Sequence, residues 1–294
     1  ATQAIDALTA GAGIDADAAE TLADTLRRNG HPHLAARAYL LARDRSDGVA
    51  AQRQHFIAAL KALQAVSDFP AALAIADQAL GALADDAPTL TFLIGLARAA
   101  NRPDRAADYA RRLIRLSLRE QIDGTVRLVA LSSDADPALP FDDARYRLAY
   151  DTFLGAGALE DAYVLSVSAV RQAPDSTDWR RRLAQVAEWH GKPADALAQW
   201  YYLARSGHTD AWAQVLRLAP GLFEHRMLLD AHKFQLRQRP RDTAQLRSIA
   251  ALYERLGEPG AGIATLQAHI TRYPSDAGDR KSTRLNSSHR IRHR

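Results

Sequence analysis

The chain has 294 residues, 47% of them hydrophobic and 24% charged, which is enough to bury a substantial core and is not a disordered composition. Its formal charge of +4 invites a polyanion-binding reading, but residues 279–294, "DRKSTRLNSSHRIRHR", carry +5 of it, so residues 1–278 sum to −1 and give no such invitation. Cysteine is absent, which excludes disulfides, a thiolate nucleophile and Cys-ligated metal and fits a reducing cytosol or a bacterial periplasm equally, and no run of about 18 apolar residues occurs.

The opening "ATQAIDALTA" lacks the basic and apolar regions of a signal peptide, and with Ala1 in first place an upstream targeting segment stays open. From there Ala, Leu and Arg dominate, with few sustained β-branched runs, so helix is expected along nearly the whole chain. The first unit, "LADTLRRNGHPHLAARAYLLA", offers Leu22, Gly30, Ala35, Tyr39 and Ala42, with Gly30 at the turn between two helices. Weaker units turn at Ser67 and Asn101, 34 residues apart, and each is followed five residues later by an alanine, Ala72 or Ala106.

A Pro/Asp/Ser segment at 132–143, "SSDADPALPFDD", reads as a break in the array or a loop inserted on one face. Beyond it lies the clearest unit, "YRLAYDTFLGAGALEDAYVLSVSAVRQAP". Tyr146, Phe153, Gly157, Ala162, Ala169 and Pro174 fall where the tetratricopeptide (TPR) repeat places its large, aromatic, small, small, small and proline residues. Gly191 and Ala196 repeat the scheme 34 residues on, and Tyr253, Gly257 and Pro274 repeat it near the end. The turn positions are spaced by 37, 34, 56, 34 and 66; the last step fits two periods if a degraded unit lies in "TDAWAQVLRLAPGLFEHRMLLDAHKFQLRQRP", closed by Pro240.

The chain thus resembles the TPR family, which implies an all-α fold: a TPR-like right-handed α-solenoid of six or seven stacked helix hairpins over residues 1–278. The basic tail, 279–294, differs in composition from the body and resembles the conceptual translation of a sequencing-library adapter. It is expected to be disordered and non-native, and on that reading the natural protein continues past about residue 278.

Motifs that carry chemistry are missing: GxSxG, HExxH, a P-loop and GxGxxG do not occur, and "GAG" at 11–13 reads as a plain loop. His31 and His33 sit at a helix–helix turn without a carboxylate at ligand spacing. His225 and His232, seven apart, read as ordinary surface or groove residues, and Glu160 and Asp161 in a first helical turn complement the helix dipole. No catalytic residue, metal or cofactor is expected, and the chain does not read as an enzyme.

What remains is a surface. In a TPR array the first helix of each pair lines the concave groove, which assigns to it Arg147 and Asp151, then Arg181, Gln185, Glu188 and Trp189, then Arg247, Glu254 and Arg255. Trp189 fits a partner contact or partial burial between repeats equally well. Trp200 reads as packing, Tyr201 and Tyr202 as exposed, and Arg180, Arg181 and Arg182, about 100° apart around a helix, as a spread set and not one patch.

Three stretches, "YARRLIRLSL" (109–118), "PFDDARYRLAYDTFLGAGALEDAYVLSVSAVRQAPD" (140–175) and "WRRRLAQVAEWHGKPADALAQWYYLAR" (179–205), resemble the TPR region of the PelB family of Pel exopolysaccharide export proteins. The resemblance implies a periplasmic scaffold ahead of an outer-membrane β-barrel. It also implies a protein partner, a polysaccharide deacetylase/hydrolase of the PelA type, with the cationic exopolysaccharide as a second candidate ligand. It implies no nucleic acid, and no membrane contact by this stretch itself. The barrel is not in this sequence, and no residue-level binding motif carries over. The competing reading is a generic TPR adaptor, periplasmic or cytoplasmic, that clasps a peptide's terminal carboxylate with Arg147 and Arg181; Asp151 and Glu188 intrude on that pattern.

Overall fold

A computed structural model describes residues 13–129 and 142–274, with backbone alone for 117–129. The described residues are all-α and form seven helix hairpins, α1/α2 to α13/α14. The first four are α1 (Ala16–Arg28) with α2 (Pro32–Asp44), α3 (Val49–Gln64) with α4 (Phe69–Ala79), α5 (Ala87–Ala99) with α6 (Pro103–Val129), and α7 (Asp143–Gly155) with α8 (Leu159–Gln172). The last three are α9 (Thr177–Trp189) with α10 (Pro193–Arg205), α11 (Ala211–Leu218) with α12 (His225–Gln238), and α13 (Thr243–Arg255) with α14 (Pro259–Arg272). Short 3-10 turns lie at Gly81–Asp85 and Ala219–Leu222.

All seven hairpins close in the same way. The corner residues Gly30, Ser67, Asn101, Gly157, Gly191, Phe223 and Gly257 have φ between 52° and 76°, in the left-handed region. At each corner the following N–H bonds back to the carbonyl five residues earlier, as His31 N to Leu26 O at 2.9 Å and Glu224 N to Ala219 O at 3.1 Å. The corner N–H itself reaches the carbonyl three residues earlier, as Gly157 N to Leu154 O at 3.0 Å. This pair of bonds is the Schellman closure, which satisfies carbonyls that the end of a helix would leave without a partner. Pro32, Pro103, Pro193 and Pro259 then begin second helices, where a missing N–H costs nothing. Five of the seven first helices start on a side-chain cap: Asp15, Asp86, Asp142, Ser176 and Asp242 each accept a main-chain N–H of the first turn, as Asp68 does for the second helix α4.

The degraded unit expected between Thr209 and Pro240 is a complete hairpin whose corner is Phe223, 32 residues after Gly191 and 34 before Gly257. Pro220 has no N–H to extend the ladder, which explains why α11 is only eight residues long and finishes in a 3-10 turn.

Small residues set the distance within each pair. Ala35, Ala72, Ala106, Ala162 and Ala196, each five residues past a corner, are fully buried. In the sixth hairpin that place is taken by Leu228, also buried, and in the seventh by Gly262, where an added Cβ would stand 2.9 Å from the Cβ of Tyr253. The aromatic positions Tyr39, Tyr146, Phe153 and Tyr253 are buried against these small contacts, together with Phe56 and Trp179.

The chain divides into two compact units, one ending at Pro174 and the other beginning at Asp175. In the first, each helix packs on the next from α1 through α8, and α3 also meets α5; in the second, the same holds from α9 through α14. Each unit is therefore a stack of hairpins with nearest-neighbour contacts. Of the segment expected to interrupt the array, 132–141 lies outside the described residues, whereas Asp142 caps α7 and Asp143 begins it. Residues 1–12, including most of "GAG", and the tail at 279–294 also lie outside them.

Candidate interaction surface

The nine residues assigned to the groove all sit on first helices: Arg147 and Asp151 on α7, Arg181, Gln185, Glu188 and Trp189 on α9, and Arg247, Glu254 and Arg255 on α13. The α7 pair belongs to the first unit and the other seven to the second.

On α7, Arg147 donates through Nε to Asp143 at 2.6 Å, one turn back on its own helix, and Asp151 is exposed. On α9, two of the four are occupied in joining hairpins. Arg181 forms a two-pronged bond to Asp210, at 2.6 and 3.1 Å, which ties α9 to the residue preceding α11. The guanidinium holds the Asp210 carboxyl below its ordinary range. Glu188 accepts from Trp200 Nε1 at 2.9 Å and from Arg217 of α11 at 2.5 Å. Gln185 and Trp189 remain open to solvent, Trp189 with 51% of its surface exposed. On α13, Arg247, Glu254 and Arg255 are exposed and take no ion pair among the described residues.

These bonds bear on the carboxylate-clasp reading, because both arginines it would use, Arg147 and Arg181, already hold aspartates. Register identifies which side chains leave a helix on a given face, but not which of them a neighbouring repeat engages.

The arginine run is spread, as its spacing predicts. Arg180 donates to Gln199 at 2.8 Å and lies 3.5 Å above the Tyr202 ring, Arg181 goes to Asp210, and Arg182 stands over Trp179. Trp200 is half-buried against the core of the second unit, and Tyr202 is 40% exposed. Tyr201, expected at the surface, is instead half-buried: its ring meets Trp212 edge-on and its hydroxyl donates to Asp230 at 2.5 Å.

His31 is exposed, and His33 reaches Asp68 of the next hairpin at 3.3 Å. His232 bonds to Gln245 at 2.5 Å. Glu160 is exposed, and Asp161, beyond complementing the dipole of α8, accepts from Arg111 of α6 at 2.9 and 3.0 Å. Among the described residues no group of His, Asp and Glu side chains could hold a metal ion, and no helix is long and apolar enough to cross a membrane.

The face that sequence reasoning missed belongs to second helices. Between α4 and α6 a cavity of about 280 Å³ is lined by Asp77, Arg105, Asp108, Tyr109, Arg111, Arg112 and Arg115. The available signal was the run of arginines at 105, 111, 112 and 115, which returns to one side of α6 every three, four or seven residues.

No family model matches the chain, and no curated protein sequence does. Among solved structures, the MamA protein matches at 12% identity over 65% of this chain and 94% of that one, with a TM-score of 0.36. PilW, a widely conserved type IV pilus biogenesis factor, matches at 14% identity over 81% and 97%, with a TM-score of 0.33. The TPR2AB domain of yeast Sti1, in a complex with pHSP90, matches at 10% identity over 81% and 97%, with a TM-score of 0.28. At these values the likeness supports no inference about function, and the repeat fold stands on this chain's own corners and small-residue contacts.

Proposed function

We propose that the chain is a TPR-type scaffold that holds a protein partner on its first helices, and that it serves Pel-type exopolysaccharide export in the periplasm by recruiting a PelA-type deacetylase/hydrolase. The observation that carries the scaffold reading is the equivalence of the hairpins. Every pair turns through the same left-handed corner, so within each unit successive first helices present solvent-facing side chains from equivalent places in their hairpins. On α9, Arg181 and Glu188 lock the helix to the next hairpin, while Gln185 and Trp189 stay open beside them, a rigid mount for an aromatic anchor. The choice of exporter and enzyme is supported by the likeness of residues 109–118, 140–175 and 179–205 to the PelB family. The full-length protein would then be anchored at the outer membrane. The polymer itself is the weaker candidate ligand, since residues 1–278 carry a net charge of only −1 and give a cationic chain no strong attraction.

The test is capture of a PelA-type enzyme by immobilised wild-type protein, Trp189→Ala and Arg181→Glu. Because Trp189 is half exposed, its replacement should change stability by no more than about 0.5 kcal/mol while reducing capture. Arg181→Glu breaks the tie to Asp210 as well, so its thermal stability is recorded alongside. Full capture by Trp189→Ala would remove the first helices from the docking role.

A further inference from the structure

Two cavities meet along α6 on the second-helix side of the first unit. The one between α4 and α6 contains four arginines and two aspartates, and its internal pairing is uneven. Arg105 bonds to Asp77, and Arg111 is held by Asp108 at 2.7 Å and Asp161 at 2.9 Å. Arg112 and Arg115 are exposed and take no ion pair among the described residues, whereas the other two arginines are held by aspartates. The second cavity, about 250 Å³ between α6 and α8, shares Arg111 and Arg115 with the first and is floored by Ile114, Phe153, Val164 and Leu165. Val164 leaves 55% of its surface in water.

We propose that this α4–α6–α8 face docks an acidic segment of a protein partner that carries an apolar side chain next to its carboxylates. The proposal rests on the scaffold reading and adds the chemistry of the partner. A guanidinium offers a planar fork of donors that matches a carboxylate, and Arg112 and Arg115 stand one turn apart on α6 with that fork available. The aspartates that orient Arg105 and Arg111 lower the net positive charge of the face, which suits singly charged carboxylates better than a row of doubly charged phosphates. A cationic polymer meets repulsion here, so this face selects protein over polymer.

The experiment is fluorescence anisotropy on the full chain with a short labelled peptide repeating Asp-Glu-Leu. It is compared with the Asn-Gln-Leu and Asp-Glu-Gly versions and tested against R112E/R115E and V164D. The acidic, leucine-bearing peptide should bind. Affinity should fall about tenfold or more with the amide peptide and with R112E/R115E, and by a smaller factor with the glycine peptide and with V164D. Equal binding of acidic and amide peptides, unchanged binding by R112E/R115E, or no binding to the wild type overturns the proposal. Tighter binding of a phosphoserine-leucine peptide or an RNA oligomer, lost in R112E/R115E, overturns it in favour of a phosphate ligand. Enzyme capture is scored in parallel. If wild type captures the enzyme and ignores the peptide, acidic docking fails and the scaffold reading stands; if it binds the peptide and captures no enzyme, the Pel-type assignment fails and acidic docking stands.

Discussion

Phe223 holds a left-handed backbone, φ 57°, with 79% of its side chain in solvent, so it bears the steric cost of a Cβ in that region with little burial in return. Phe223→Gly should therefore stabilise the chain by about 1 kcal/mol, read as a rise in the urea midpoint at unchanged slope. Gly262 makes the opposite case. Its φ is ordinary, but a Cβ would press on Tyr253, so Gly262→Ala should cost about 1–3 kcal/mol by overpacking, measured in the same way. These two sites also show what was legible residue by residue. Gly30, Gly157, Gly191 and Gly257 announce their corners because glycine alone adopts that conformation at low cost, and Ser67 and Asn101 were found from their spacing. Phe223 gave no signal by residue type, although it lies 34 residues before Gly257, because nothing in an aromatic residue's chemistry favours a left-handed corner; main-chain bonds impose it.

At the level of the helix, polar groups do the joining. Asp24 of α1 accepts from the Tyr39 hydroxyl of α2, and that bond, with Arg27 and Arg28 nearby, holds its carboxyl below the ordinary range; Arg181 does the same for Asp210. A carboxyl depressed in the folded chain contributes stability fully above its unfolded value of about 3.9 and loses that contribution as pH falls through the lower folded value. The urea midpoint should accordingly be level between about pH 5 and 7 and decline below about pH 4, with part of the decline absent in Asp24→Asn and Asp210→Asn. Both groups are well exposed, so the effect is small. The sequence placed the groove residues on the correct helices, since helical register follows from the corners. Which arginines would be engaged was only partly legible: Asp143 stands one helical turn before Arg147, a pairing the sequence shows, whereas Asp210 is brought to Arg181 by the fold and not by any motif.

For the molecule as a whole, the division at Pro174 makes a direct prediction. The described helices of the first unit, α1 to α8, each pack on the next, so a chain ending at Pro174 should keep its helical circular dichroism and unfold cooperatively. A featureless, gradual melt would show that the first unit depends on the second. The helical-hairpin fold was legible because several residue types recur together at 34-residue intervals; the division into two units was not, since no marker in the sequence separates Pro174 from Asp175. The shared corner geometry carries a last consequence. Joints locked by peptide groups do not depend on which side chains decorate the rods between them, as serine, asparagine and phenylalanine taking glycine's place already demonstrate. Such a chassis can exchange its decoration by mutational drift and acquire a new client while its skeleton stays the same.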